Sequence, residues 1–294
     1  MIPLSHRLAR SQLSCPAFEW AGWVKYAAAS RVLYSITLRN MELPPVDLSW
    51  FAENLSDTVQ EILDAWNDAN ASVSAQDEAS PELLKEALKQ LIEVLRIQEW
   101  NNNTGQGNGN RAPTEVDISE LGDYGLNMLA ELSRISIDLG LEGQMDRLEQ
   151  LALSLGLWVA RQNGELNSVE LVVNGIARIA NHSQEQMALE RLFHVMGEIL
   201  DAASPVDSAR YIFADVMNNP RYLLLLNRAI VATRTHSPQL METAFADVAL
   251  QMPDAAPGFF SEGMEQIKLQ GYPEEVREVI ERYYREYPSV STLH

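Results

Sequence analysis

Cysteine is almost missing from this sequence. Cys15 stands alone among 294 residues, so no disulfide can close within the chain and a zinc site built on paired cysteines is excluded. Such usage suits a reducing compartment, and a cytoplasmic location is the expectation. Long apolar runs are missing too: no stretch approaches about 18 consecutive apolar residues, so no membrane span is expected. His6, Arg7 and Arg10 are followed by polar residues rather than by the apolar core of a secretory signal. Basic residues are scarce. Lys and Arg number 22 against 41 Asp and Glu, a formal net charge of −19, which disfavours nucleic-acid backbones and anionic membrane surfaces as partners. Runs of alternating β-branched residues are absent, so no sheet is expected.

The few positive charges are unevenly placed. Residues 1–40 carry Arg7, Arg10, Lys25, Arg31 and Arg39 against Glu19, a net +4, which leaves 17 basic against 40 acidic residues, a net −23, for the remainder. Residues 1–40 read as an upstream, non-native or disordered extension with Met41 as the real start. A transit segment and a docking helix around Trp20–Leu38 are the alternatives.

What the chain does have is helical periodicity. Hydrophobic residues make up 46%, enough for a sizeable core. From Trp50 through Phe51, Leu55, Val59, Ile62, Leu63 and Trp66, apolar residues recur at three- and four-residue spacing, which predicts a helix over 48–69 capped by Asp47 or Ser49. Ser80-Pro81-Glu82 opens a second helix whose apolar face is Leu84, Ala87, Leu88, Leu91, Ile92 and Leu95. Residues 41–100 therefore read as an N-terminal helical hairpin. A Gly- and Asn-rich stretch at 101–116 reads as a linker or loop. Further helices are expected near 117–140, 144–162, 166–181, 184–202, 206–218, 221–235, 238–251, 258–270 and 273–286, a helical-repeat domain over 117–288 with a tail at 289–294.

A weak internal repeat runs through this domain. Val169, Val173 and Ile176 lead to a stop at Asn181; Ala209, Phe213 and Val216 to Pro220; Met241, Phe245 and Val248 to Pro253; Val276, Ile280 and Tyr283 to Pro288. The copies start 40, 32 and 35 residues apart. Leu155-Gly156, Met196-Gly197 and Glu262-Gly263 lie midway along the preceding helices, and Gly164 and Gly271 follow in the turns. Over residues 145–288 this pattern resembles a degenerate tetratricopeptide repeat, or a neighbouring HEAT-like type, in which two helices alternate over about 34 residues. The early tryptophan of that family is absent, and Val159 stands where its tyrosine would follow Leu-Gly. The resemblance implies an all-α fold, a right-handed α-solenoid of stacked hairpins, preceded here by the hairpin of residues 41–100. It also implies a non-enzymatic scaffold, adaptor or chaperone-like protein that binds a peptide or helix in a concave groove.

Candidate site residues follow from that mapping. Arg161 and Lys268 each lie five residues after a mid-helix glycine, and Arg228 and Arg234 sit on the corresponding helix of the third copy. Four cations on one inner wall would grip a peptide's carboxylates, unless each pairs with one of the many nearby acids. Tyr283, Tyr284 and Tyr287 cluster in the last helix and cannot all face inward, which marks a second partner surface or a homodimer contact. Glu278 with Arg282 and Glu281 with Arg285 have the i, i+4 order of a solvated capping helix.

Signals for chemistry are thin. His194 with Glu198, and His182 with Glu185, have metal-ligand spacing but no third ligand, so no metal is expected. Asp201, Asp207 and Asp215 would need to converge in a cleft to act as a carboxylate pair. No phosphate loop, dinucleotide fingerprint or nucleophile elbow is present, so no cofactor is expected. An enzyme or regulatory subunit on an irregular helical fold, and a structural homo-oligomer subunit, are the alternative readings.

Overall fold

The computed structural model describes residues 42–70, 80–104, 117–205, 219–269 and 271–288. Ten helices lie in these segments: α1 Leu48–Asn70, α2 Pro81–Thr104, α3 Ile118–Asp138, α4 Glu142–Arg161, α5 Glu170–His182, α6 Gln186–Ala202, α7 Pro220–Arg234, α8 Pro238–Gln251, α9 Ala256–Leu269 and α10 Glu274–Glu286. Among the described residues the only pairing of extended backbone is an isolated bridge between Leu166 and Ala203. No helix of the described residues is long and apolar enough to cross a membrane. The expected helix over 206–218, with its repeat copy at Ala209, Phe213 and Val216, lies outside the described residues, as do residues 1–40 and the tail.

Helix starts follow the capping chemistry. Asp47 Oδ1 accepts the Trp50 N–H at 2.7 Å, Asp117 Oδ1 that of Ser119 at 2.8 Å, and Asn219 Oδ1 that of Arg221 at 2.9 Å with Pro220 at the first helical position. Two boundaries differ from the sequence expectation by more than two residues. α2 runs through Asn101 to Thr104, into the stretch expected as linker. α5 begins at Glu170 rather than near residue 166, because the preceding N–H groups are used elsewhere. Ser119 Oγ accepts from Glu165 N at 2.9 Å, and Asp123 Oδ1 accepts from Asn167 N and Ser168 N, both at 2.9 Å. Leu166 N donates to Ala202 O at 2.8 Å. This turn is thus clamped between α3 and the end of α6.

Packing proceeds mainly between near neighbours in sequence. α1 packs on α2, α3 and α4; α4 on α3, α5 and α6; α7 on α5, α6 and α8; α10 on α8 and α9. A single continuous cluster of buried apolar side chains runs from Leu48 in α1 to Tyr283 in α10, so the N-terminal hairpin and the later helices share one core. At its centre is α4, where Leu148, Glu149 and every residue from Leu151 to Val159 are buried. A helix covered on all sides must satisfy its polar atoms internally. Ser154 Oγ donates to Pro45 O at 2.6 Å, and Glu149 Oε2 accepts from Arg178 Nε at 2.6 Å. Asp146 takes the same guanidinium at 2.7 Å. Glu149, first through its hydrogen bond, raises the Arg178 pKa against the effect of burial.

α4 and α5 cross at near backbone contact. A Cβ built on Gly175 would lie 2.8 Å from the Glu149 carbonyl oxygen, and one on Gly156 would lie 3.1 Å from Val172 Cγ2. The first cannot be relieved by a side-chain rotation. Gly175→Ala therefore lowers unfolding free energy by about 1–3 kcal/mol, although alanine is the better helix former by about 1 kcal/mol. Urea unfolding of the two proteins reads this directly; a stabilised variant would mean that the helices are further apart than described.

Candidate functional site

The four cations expected to share a wall are divided by the structure. Arg161, at the end of α4, forms a two-pronged pair with Glu198 of α6, Nε to Oε2 at 2.8 Å and Nη2 to Oε1 at 3.3 Å, and remains half exposed. The preceding residue of α6, Gly197, makes room for Arg228 of α7: a Cβ there would sit 3.3 Å from Arg228 Nη2. Arg228 is held from three sides. Its Nη1 donates to Asp247 Oδ2 of α8 at 2.7 Å, its Nε to Phe193 O at 3.4 Å, and its guanidinium carbon lies 4.1 Å from the Phe193 ring centroid. Arg161, Glu198, Arg228 and Asp247 thus form a row of alternating charge across α4, α6, α7 and α8, with no net positive excess.

Arg234 has a different place. It donates to Ala180 O at 2.7 Å and to Ser183 O, the carbonyls at the end of α5. Burial lowers its pKa, opposed by the neighbouring Tyr272. At the other end of α7, Arg221 donates to Leu200 O and to Ala203 O at 2.7 Å, the end of α6. The two arginines of one helix therefore satisfy carbonyls at the ends of two of the helices it packs against. Lys268 is exposed on α9 and has no ion-pair partner among the described residues.

The tyrosines separate as well. Tyr283 is 7% exposed and packs edge-on to Phe245 at 5.3 Å; its hydroxyl donates to Glu242 Oε2 at 3.2 Å. Burial raises the pKa of that phenol. Tyr287 is half-buried and stacks on Tyr283, centroids 6.2 Å apart, while Tyr284 faces solvent. Arg282 pairs with Glu242 of α8 rather than with Glu278 on its own helix, so α10 is tied to α8 by charge as well as by its aromatic face.

One feature has no counterpart in the sequence expectation. A hollow of about 520 Å³ lies between α1 and α4, lined by Trp50, Asn54, Asp57 and Glu61 on one side and by Arg147 and Gln150 on the other. Arg147 Nη1 donates to Glu61 Oε1 at 2.7 Å, and the Gln144 amide donates to Glu61 Oε2. The Arg147 hydrogen bond is the largest of the effects that hold the Glu61 carboxyl below its ordinary pKa. Asn54, Asp57 and Glu61 lie on the polar edge of an amphipathic helix beside Trp50 of its apolar face, a juxtaposition that gives no signal of its own in sequence. Among the described residues no group of three His, Cys, Asp or Glu side chains is placed to hold a metal ion.

No family model, curated protein or solved structure matches this chain.

The difference between an exposed pair and an internal cap is measurable. Arg161→Ala changes unfolding free energy by less than about 1 kcal/mol, as exposed pairs do. Arg234→Ala lowers it by about 1.5–3 kcal/mol, the range for buried hydrogen bonds from a charged group. Chemical denaturation of both variants checks the order; equal losses would contradict the assignment.

Proposed function

We propose that this chain is a non-enzymatic protein-interaction module, a scaffold, adaptor or chaperone-like protein of reducing compartments such as the cytoplasm. In this reading its helices form a short right-handed α-solenoid of tetratricopeptide-like hairpins, and the face formed by the exposed end of α4 at Arg161 together with α6 and α7 receives a peptide or a helix. The observation that carries it is the order of packing: α4 rests on α5 and α6, α7 rests on α5, α6 and α8, and α8 on α10. Relay packing of this kind is how stacked hairpins bury their apolar faces while leaving an extended surface for partners.

The charged row supports the same face. Glu198 occupies the half-exposed Arg161, and Asp247 occupies the mostly buried Arg228 beneath it. Exchange of the half-exposed Glu198 for a partner's carboxylate has little net cost, because such pairs contribute only about 0–1 kcal/mol. Lys268, exposed and without an ion-pair partner among the described residues, adds a cation to the same acid-recognising chemistry.

Affinity capture from source cells with the full chain and with Arg161→Glu/Lys268→Glu tests the reading, with bound proteins identified by mass spectrometry and folding checked by thermal melts. A specific partner held by the native chain and lost by an equally folded double variant is the expected result. Capture indifferent to both changes would remove this face as the interface.

A further inference from the structure

The cleft between α1 and α4 is lined by two carboxylates, Asp57 and Glu61, one guanidinium, Arg147, and the amides of Asn54, Gln60 and Gln150. Glu61 is already occupied by Arg147 and Gln144, so its charge and that of Arg147 offset one another. Asp57, one helical turn earlier on α1, is exposed at the cleft and has no hydrogen-bond or ion-pair partner among the described residues. Asn54 Nδ2 donates to Trp50 O at 2.8 Å, which leaves Asn54 Oδ1 as the end that accepts. The Thr58 hydroxyl spends its proton on Asn54 O at 2.8 Å, so it is not offered to a ligand. The half-buried Trp50 ring closes the start of the stripe.

We infer that this cleft binds the guanidinium group of an arginine side chain presented by another protein, with Asp57 as its counter-charge and Trp50 as its stacking surface. Guanidinium is the group that answers each feature. It carries only donors, it is planar, it pairs with a carboxylate through two parallel bonds, and it stacks on an indole face. An anion would face Asp57 and find Arg147 already engaged by Glu61. The chain's net charge of −19 raises the local concentration of cationic partners as well. The site is independent of the Arg161–Asp247 row, so either assignment stands without the other.

The test uses the full chain labelled with nitrogen-15 and the singly charged probe N-acetyl-arginine methylamide, read through the tryptophan indole N–H signals. Trp50→Phe identifies the Trp50 signal by its loss. The expected result is a saturable shift of that signal by the arginine probe, with affinity about ten-fold or more weaker for the neutral isostere N-acetyl-citrulline methylamide. Asp57→Asn weakens arginine binding by a comparable factor, whereas Glu53→Gln, an exposed acid on the same helix outside the cleft, leaves it unchanged. The proposal is overturned if the arginine probe leaves the Trp50 signal unmoved, if citrulline binds as well, or if Asp57→Asn and Glu53→Gln act alike. The last outcome would mean general attraction to the acidic surface.

Discussion

Everything described here depends on α4 being covered on all sides. A surface helix needs one apolar stripe, but Leu148–Val159 is covered by α1, α3, α5 and α6 with Gln150 as its only half-buried position. That demand accounts for features that look unrelated in the chain. Gly175 is a glycine because the α4 backbone lies against it. Arg178 crosses from α5 because the Glu149 carboxyl is buried at the same contact; without the guanidinium that group would be left unpaired in the core. Pro45 lies against α4 because Ser154 needs an acceptor, and this contact fixes where the chain enters α1.

A second pattern concerns the basic residues. In a chain with nearly two acids for each base, the arginines of α5 and α7 are drawn into the frame: Arg178 onto buried Glu149, Arg221 and Arg234 onto the ends of α6 and α5, and Arg228 between Phe193 and Asp247. Positive charge is thereby withdrawn from the surface, and the surface left behind is acidic. The α1–α4 cleft is a local case, with Asp57 lacking a partner among the described residues while Glu61 is matched. The proposed preference for a basic side chain follows from the same imbalance that puts arginine to structural use.

Helix positions were legible in the sequence because apolar spacing and capping residues act locally. Asp47, Ser80-Pro81 and Asn219-Pro220 mark starts that the backbone adopts. The start of α5 was not legible, since its missing first turn is caused by Asp123 and Ala202, tens of residues away. Pairing was equally hidden. Arg161 has many acids nearby in sequence, yet its partner is Glu198, and Arg282 passes over Glu278 for Glu242. Of the candidate site, the residue types were visible but their grouping was not: Arg234 is an internal cap and Tyr283 a core aromatic. The cleft joins Glu61 to Arg147, 86 residues apart, and no local pattern announces such a meeting.

Through its buried contacts α4 joins the N-terminal hairpin and the later helices into one folding unit. Native-state hydrogen exchange on the full chain at increasing urea tests it most directly. The amides of α4 are expected to be the slowest to exchange, and those of α1, α3 and α5 to merge with them into one global unfolding event. Exchange of α1 and α2 through a separate, lower-energy opening while α4 keeps its full protection would contradict it, because α4 would then not need the hairpin to stay covered.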